Sequence, residues 1–266
     1  MKIEVNGIEV HYTLEGKGPL VTLSHSLGCN VSMWDEQARA LSDRYKVLRF
    51  DTRGHGKTSA PAETYTLDQL AEDLRGLLTA LALEKTHFVG LSMGGMVGQV
   101  FALKYPQMVQ SLALCDTTSR FPPDSWPTWE ERIRTVQKHG MEALVEQTID
   151  GWFTEPFRER RRDVTDKVRA MLRSTPPQGY IGCCYAIPKI NTTARLGEIR
   201  CPATVIVGKD DPRTPVAAAR SIHEALASSE LHVLESASHL SNMEQPDAFN
   251  SALLGLLESA ERRDSR

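Results

Sequence analysis

Apolar and polar positions follow two different periods along this chain. Six short runs are apolar enough to form buried strands, and they cover residues 20–24, 47–51, 87–91, 111–115, 204–207 and 231–234. Helix-length stretches such as 67–81 and 93–105 separate most of these runs, and their apolar residues recur at i, i+3 and i+4. Strands that alternate with helices indicate an α/β fold, with a mostly parallel central sheet flanked by helices on both faces.

The N-terminus shows a different pattern. Two short strand-like runs, 3–5 and 9–14, flank the dipeptide Asn6-Gly7. Both positions of this dipeptide can take positive φ, as a two-residue hairpin turn requires. We therefore predict a hairpin that supplies an antiparallel edge of the sheet. Because the segment lacks a long apolar stretch, it is not interpreted as a signal peptide.

The alternation of strands and helices stops once, between residues 120 and 195. No convincing strand pattern occurs there, whereas helical spacing recurs, and the segment holds three of the four tryptophans: Trp126, Trp129 and Trp152. We interpret it as a helical cap inserted between two strands of the sheet. The predicted organisation is a first core segment at 1–119, a cap at 120–195 and a second core segment at 196–266.

Composition excludes several classes of protein. The 266 residues are 41% hydrophobic, and the formal net charge of −3 at pH 7 is unlike the basic footprint of a nucleic-acid-binding protein. The apolar run at 77–83 is far too short to span a bilayer. Five cysteines without metal-ligand spacing fit a reduced compartment better than a disulfide framework. We therefore expect a cytoplasmic protein with no nucleic-acid or membrane partner.

The strongest chemical signal is the sequence Gly-Leu-Ser-Met-Gly-Gly at residues 90–95. It lies between an apolar strand and a helical pattern, which is the context of a G-x-S-x-G nucleophile elbow. The glycines allow close approach of neighbouring backbone at a strained turn. We predict that Ser92 is a nucleophile at a helix N-terminus, where the dipole favours developing negative charge. A glycine-rich turn with an incidental serine is the alternative.

A serine hydroxyl needs a neighbouring base and an acid that orients it. Of the eight histidines, His239 lies just past the last predicted strand, and we predict that it is the general base. In proteins with this elbow the acid lies between serine and histidine along the chain. The strand at 204–207 leads to Asp210 and Asp211. We favour Asp211, which immediately precedes a proline that fixes the turn.

The oxyanion formed during acyl transfer needs two convergent backbone N–H donors. One is predicted at Met93, the residue after the nucleophile. The other is predicted at Leu27, in the loop that follows the strand at 20–24. The neighbouring Ser26 side chain either donates a hydrogen bond near the oxyanion or caps the loop, and both alternatives stay open.

Two further motifs receive structural interpretations. The sequence Asp-Thr-Arg-Gly-His-Gly at 51–56 ends a strand, and its Asp51 and Arg53 are interpreted as organising the loop behind the oxyanion donors rather than touching substrate. The basic run at 158–162 lies on a helix with an apolar opposite face, which favours a solvated surface. The alternative is that this run steers an anionic substrate.

Together these motifs resemble the 3-oxoadipate enol-lactonases of the α/β-hydrolase superfamily. The resemblance covers residues 24–28, 32–34, 51–56, 90–95, 151–154, 179–180, 184–187 and 237–242. It implies an α/β-hydrolase fold with an inserted cap, and hydrolysis of a five-membered enol-lactone through an acyl-enzyme on Ser92. It implies no metal and no organic cofactor. The elbow and triad are common to many families, so only the loop at 24–28 and the cap matches bear on the substrate.

The implied substrate carries a carboxymethyl group, so the partner is expected to be a small anionic ester or lactone. The cap should then supply a cation or hydrogen-bond donors, and the candidates are Trp152, Tyr180 and the cap arginines. A carboxylesterase or lactonase of broader, less anionic specificity is the alternative, with a perhydrolase-like enzyme less favoured. From a different class, a ligand receptor on this fold could retain the triad without turnover.

Overall fold

The computed structural model describes residues 1–264 and contains eight strands. They are β1 (Lys2–Val5), β2 (Ile8–Glu15), β3 (Leu20–Ser24), β4 (Lys46–Phe50), β5 (Thr86–Leu91), β6 (Val109–Cys115), β7 (Ala203–Gly208) and β8 (Ser229–Leu234). Residues 265 and 266, at the end of the predicted second core segment, lie outside the described residues.

The α-helices connect these strands and extend the chain beyond the last one. They are α1 (Asp35–Leu41), α2 (Leu67–Ala80), α3 (Met93–Lys104), α4 (Trp126–His139), α5 (Val145–Trp152), α6 (Glu155–Arg160), α7 (Arg162–Ser174), α8 (Pro177–Ala186), α9 (Val216–Ala225), α10 (Ser241–Glu244) and α11 (Pro246–Asp264). Within residues 1–264, none of these helices has both the length and the apolar composition that crossing a membrane requires.

All eight strands belong to one sheet in the order β1-β2-β4-β3-β5-β6-β7-β8. The pairs β1·β2 and β2·β4 are antiparallel, whereas the pairs from β4 through β8 are parallel. At the hairpin turn, Asn6 and Gly7 both have positive φ, +48° and +75°. The predicted parallel sheet with an antiparallel N-terminal edge is confirmed.

Helices cover both faces of the sheet, because successive side chains of a strand point to opposite sides. Along β6, Leu112 and Leu114 join the core cluster that includes α2, α3 and α9. Ala113 and Cys115 join the other cluster, which includes α1 and α11. Strands buried on both faces appear in the sequence as continuous apolar runs, which explains why the apolar pattern predicts them.

Two strands begin two residues earlier than the apolar pattern predicts. β6 starts at Val109 rather than 111, and β8 starts at Ser229 rather than 231. Ser229 and Glu230 pair with Ala203 and Thr204 of β7, although neither side chain is fully buried. Backbone hydrogen bonds extend the ladder past the apolar positions, and the hydrophobic pattern contains no signal for that.

The connection between β6 and β7 contains helices α4 to α8 and no strand of the sheet. Its two ends meet at an isolated bridge between Arg120 and Asn191. Since the connection leaves from the carboxyl end of β6, it is placed to cover the edge at which β5 also ends. The division into a core and a cap at 120–195 stays a prediction.

Phe88 in β5 shows how the elbow region depends on packing. The side chain is fully buried, and a Cβ added at Gly98 of α3 would lie 2.5 Å from its ring. We expect Phe88→Ala to lower the free energy of unfolding by about 3–5 kcal/mol, because it leaves a cavity between β5 and α3. Urea denaturation followed by circular dichroism measures this loss. The matched variant Phe88→Leu should lose less than half as much, and equal losses would contradict a packing origin.

Candidate active site

Ser92 lies between β5 and α3 in a backbone conformation that residues with side chains rarely adopt. Its φ is +56° and its ψ is −114°. A Cβ added at Gly90 would lie 2.2 Å from the carbonyl oxygen of Gly94, and one added at Gly94 would lie 2.1 Å from that of Ser24. Both positions therefore require glycine, since a side chain would force β3, β5 and α3 apart. The turn leaves Ser92 partly exposed at the carboxyl edge of the sheet.

His239 and Asp211 form a buried pair beyond the carboxyl ends of β8 and β7. Nδ1 of His239 lies 2.9 Å from Oδ2 of Asp211. The Asp211 carboxylate also accepts the N–H of Arg213 at 2.7 Å, the N–H of Thr214 at 3.1 Å and the hydroxyl of Thr214 at 2.6 Å. The turn after β7 thus orients this carboxylate toward the imidazole. Asp210, the alternative acid, is exposed.

The pair is arranged for proton transfer. Burial acts to raise the pKa of Asp211, but the His239 imidazole and the Thr214 hydrogen bonds outweigh it, so the pKa is lowered. An ionised Asp211 accepts the Nδ1–H of His239 and leaves Nε2 as the proton acceptor. Because Ser92 and His239 line the same cavity, the arrangement can carry out general-base activation of a hydroxyl.

Leu27 and Met93 are the predicted oxyanion donors. Among residues 1–264, the backbone N–H of neither donates a hydrogen bond to another backbone group. Met93 is the first residue of α3, where N–H groups have no helical partner, and Leu27 lies on the cavity wall. Both N–H groups are therefore free to bind a developing negative charge.

Two buried histidines hold the loop that carries Leu27. Nδ1 of His25 lies 2.8 Å from the carbonyl oxygen of Ser26, and Nε2 of His25 accepts the N–H of Thr52 at 3.0 Å. Nε2 of His55 accepts the N–H of Gly28 at 2.9 Å. Since Nε2 is an acceptor in both rings, both histidines are neutral and carry the proton on Nδ1. The motif at 51–56 thus holds the loop that carries Leu27 through His55 and Thr52, whereas Arg53 pairs with Asp73 instead.

Ser26 is buried on the wall of the same cavity as Ser92. Its hydroxyl has no hydrogen-bond partner among the described residues, so it does not cap the loop. An unpaired buried hydroxyl costs about 1–3 kcal/mol. This arrangement favours the alternative in which the hydroxyl donates a hydrogen bond to bound substrate.

A cavity of about 240 Å³ contains Ser92 and His239 in its wall. Apolar side chains from the connection between β6 and β7 form part of that wall: Phe121, Trp129, Trp152 and Ile187. The Trp152 ring lies 5.9 Å from the His239 imidazole at an interplanar angle of 35°. The cavity therefore suits a small substrate with apolar surface beside the predicted base.

Two arginines add positive charge to this wall. Arg132 donates to the Tyr180 hydroxyl at 2.7 Å, and Arg213 donates to the carbonyl oxygen of Gln147 at 3.2 Å. In the part of the chain that the structure describes, neither guanidinium pairs with a carboxylate. A guanidinium on a cavity wall that still has free N–H donors can bind an anion.

The structure places two sets of predicted residues away from the cavity wall. Tyr180 is fully buried outside the wall and holds Arg132 instead. The basic run at 158–162 is also elsewhere, where Arg158 pairs with Asp150 and Arg161 pairs with Asp163. These pairs agree with the solvated-surface interpretation of the run.

The sequence did not single out Arg132 or Arg213 as residues of the cavity wall. Arg132 lies three residues after Trp129 and four before Val136, on the apolar face of α4. A charged residue on an apolar stripe was an available signal, because it must find a partner or a ligand there. Arg213 lies two residues beyond Asp211, within the turn that carries the acid.

Asp116 is a further buried carboxylate that the sequence analysis missed. It directly follows β6 with φ +42°, and it accepts the N–H of Gly208 at 2.8 Å and the hydroxyl of Ser241 at 2.5 Å. Burial and the nearby Asp211 raise the pKa of Asp116. It joins the ends of β6, β7 and α10 behind the Asp211–His239 pair. An aspartate directly after an apolar strand was the available signal.

The buried neutral histidines make stability depend on pH. Burial and the neighbouring His25 lower the pKa of His55 from 6.5 to about 3. The unfolded chain therefore binds a proton that the folded chain excludes, and stability falls as the pH drops below 6.5 toward 3. We expect His55 to contribute about 1.4 kcal/mol per pH unit to this loss between pH 6 and 4.

His55→Gln tests this contribution, since its side-chain oxygen can still accept the N–H of Gly28. The variant should show a slope of unfolding free energy against pH that is shallower by that amount, in urea titrations at pH 7, 6, 5 and 4. His139→Gln, at an exposed histidine, controls for histidine content. Identical slopes in the wild type and His55→Gln would contradict the prediction.

Comparison with known proteins covers nearly the whole chain. A family model described as alpha/beta hydrolase fold matches residues 19–246. The chain is 34% identical over 253 residues to 3-oxoadipate enol-lactonase 2 of Acinetobacter baylyi, covering 94% of each, and 32% identical to the putative carbamate hydrolase RutD of Agrobacterium fabrum, covering 96% of this chain and 98% of the relative. The crystal structure of the enol-lactonase from Burkholderia xenovorans LB400 matches with a TM-score of 0.93 and 36% identity, covering 97% of this chain and 100% of that one. The resemblance indicated by the motifs is confirmed.

Proposed function

The chain belongs to the alpha/beta hydrolase fold family, and from this premise we propose that it opens the ring of 3-oxoadipate enol-lactone through an acyl-enzyme on Ser92. The carrying observation is that the Ser92 elbow and the buried Asp211–His239 pair share one cavity with two arginines that lack carboxylate partners. The serine, histidine and aspartate serve ester hydrolysis in general. The arginines favour an ester that also carries a carboxylate.

Acylation uses groups whose positions are described above. The Ser92 hydroxyl attacks the lactone carbonyl while Nε2 of His239 takes its proton, and Asp211 stabilises the resulting imidazolium. The N–H groups of Leu27 and Met93 hold the oxyanion, and Ser26 adds a hydroxyl beside them. Collapse of the tetrahedral intermediate breaks the ring C–O bond and releases an enol that stays attached to the acyl group.

Ring opening is assisted by the leaving group itself. The His239 imidazolium returns its proton to the departing enolate oxygen, and the resulting enol tautomerises to a ketone, so departure needs no strong acid. His239 then removes a proton from a water molecule, which attacks the acyl carbon and frees Ser92. Both halves of the reaction use Ser92 and His239, which line the same cavity.

Recognition of the carboxylate is assigned to Arg132, with Arg213 beside it. Arg132 is held by its hydrogen bond to Tyr180, so part of the entropy of ordering a long side chain is lost before substrate binds. The nearby Tyr180 raises the pKa of Arg132, and the guanidinium stays charged. We therefore assign Tyr180 the positioning of Arg132 and Trp152 an apolar contact with substrate.

A hydrolase with broader specificity is the second candidate. The observation that favours it is the apolar wall of Phe121, Trp129, Trp152 and Ile187, which suits uncharged esters. One relative bears the name putative carbamate hydrolase, so a carbamate belongs in the same panel of substrates.

Ring opening of 3-oxoadipate enol-lactone by the purified protein, followed by loss of ultraviolet absorbance, tests the proposal. We expect kcat/KM to exceed that for uncharged aryl esters and a carbamate by at least about 100-fold, and Ser92→Ala to lower it by at least about 10⁴-fold. A preference for uncharged esters would establish the second candidate. Full activity of Ser92→Ala would overturn the assignment of the nucleophile.

Arg132→Gln tests recognition of the anion. A charge-assisted hydrogen bond contributes about 1.5–3 kcal/mol, so we expect kcat/KM for the enol-lactone to fall about 10- to 100-fold. Hydrolysis of an uncharged aryl ester should change by less than about threefold. Arg158→Gln is the matched control, because Arg158 pairs with Asp150 outside the cavity wall. Equal losses for both substrates in Arg132→Gln would rule out a specific role for its charge.

A further inference from the structure

Glu244 is a buried carboxylate that the proposed reaction does not use. It ends the short helix α10, five residues after His239, and is 5% exposed. Its Oε2 accepts the N–H of Ser238 at 2.9 Å. The carboxylate therefore contacts the backbone immediately before the predicted general base.

The same carboxylate reaches the connection between β6 and β7, 90 residues away in sequence. Oε1 accepts the N–H of Thr154 at 3.1 Å and also the hydroxyl of Thr154. Thr154 lies two residues after Trp152, whose ring packs against His239. One side chain thus holds both the histidine loop and the wall segment beside it.

Further hydrogen bonds join the same two segments. The N–H of Leu240 donates to the carbonyl oxygen of Trp152 at 3.1 Å. The hydroxyl of Ser238 donates to the carbonyl oxygen of Gly151 at 3.2 Å. Residues on both sides of His239 are therefore bound to 151–154. The imidazole and the Trp152 ring are carried by a single hydrogen-bonded unit.

The chemistry of this contact requires a carboxylate. Two backbone N–H groups and a hydroxyl face Glu244, and no cation lies within ion-pair distance of it among residues 1–264. Burial raises the pKa of Glu244, while the bonds from Thr154 and Ser238 act in the opposite direction. An amide in this place would put its NH₂ against an N–H donor in either orientation, so glutamine cannot satisfy the site.

We propose that Glu244 is a positioning residue for His239, and that it positions the imidazole by tying Ser238 to Thr154. The tie keeps the imidazole at a constant position relative to Asp211, Ser92 and the Trp152 wall. The inference rests on the proposed role of His239 in Ser92-dependent hydrolysis. A loosened tie slows the chemical steps, whereas the arginines that bind substrate stay in place.

Glu244→Gln tests the proposal with an uncharged aryl ester at 25 °C, where folding is checked by circular dichroism. We expect kcat to fall about 10- to 100-fold and KM to change by less than about threefold. The downfield proton resonance of the His239 Nδ1–H bonded to Asp211 should shift or broaden. A merely structural role would lower the melting temperature and leave kcat within twofold in the folded protein, and that result would overturn the proposal.

A second pair of variants keeps the test decisive if Glu244→Gln does not fold. Thr154→Val keeps the N–H and removes the hydroxyl, so kcat should fall several-fold. Thr154→Ser keeps both donors and should restore the wild-type kcat. Equal kcat in both Thr154 variants and the wild type would overturn the proposal.

Two controls separate this proposal from the assignment of the reaction. Glu235→Gln changes an exposed carboxylate in the same loop, paired with Lys209, and should leave kcat unchanged. Ser92→Ala should abolish aryl-ester turnover and labelling by a fluorophosphonate. Turnover that persists in Ser92→Ala contradicts the proposed function, whereas Ser92-dependent turnover that is insensitive to Glu244→Gln contradicts only the role of Glu244.

Discussion

The left-handed backbone of Ser92 is the constraint on which the rest of the site depends. A residue with a side chain adopts positive φ only when its surroundings compensate for the strain. Here they do so through Gly90 and Gly94, which let β3, β5 and α3 approach within distances that no Cβ permits. This close packing places Ser92 at the N-terminus of α3, at the carboxyl edge of the sheet. His239, which contacts Asp211, and the loop that carries Leu27 line the same cavity as this serine.

The polar groups around Ser92 are buried, so each of them needs hydrogen-bond partners within the protein. Asp211, Asp116 and Glu244 are carboxylates held mainly by N–H and O–H donors, and His239 stands beside Asp211. Hydrogen bonds of this kind are directional, so each carboxylate specifies the relative position of two or more chain segments. The two neutral histidines that hold the loop with Leu27 follow the same logic, because only an uncharged imidazole can accept a backbone N–H. These hydrogen bonds thereby join the ends of β6, β7 and β8 and the wall segment at 151–154.

In the proposed reaction, the connection between β6 and β7 supplies groups that select the substrate. Its aromatic side chains line the cavity beside Ser92 together with Arg132, and an apolar wall of this kind strengthens the attraction between a guanidinium and an anion. Arg132 is in turn held by Tyr180 from a neighbouring helix. The proposed hydrolytic groups therefore lie at the sheet edge, while the groups proposed to distinguish substrates lie mostly in the connection.

The sequence by itself determined the parallel sheet, its antiparallel edge and the elbow, because each depends on residues close together along the chain. Buried strands need apolar runs, a hairpin needs Asn6-Gly7, and the elbow needs glycines two residues either side of Ser92. The preference for Asp211 also rested on a neighbouring residue, the proline that follows it. In the structure the same turn supplies three hydrogen bonds to its carboxylate. Only the tertiary structure decided that Arg132 enters the cavity, that Tyr180 supports it from outside, and that Glu244 joins Thr154 to Ser238. The contacts of Tyr180 with Arg132 and of Glu244 with Thr154 link residues that are tens of positions apart. Their geometry follows from how helices pack over the sheet edge, which no pattern of spacing encodes.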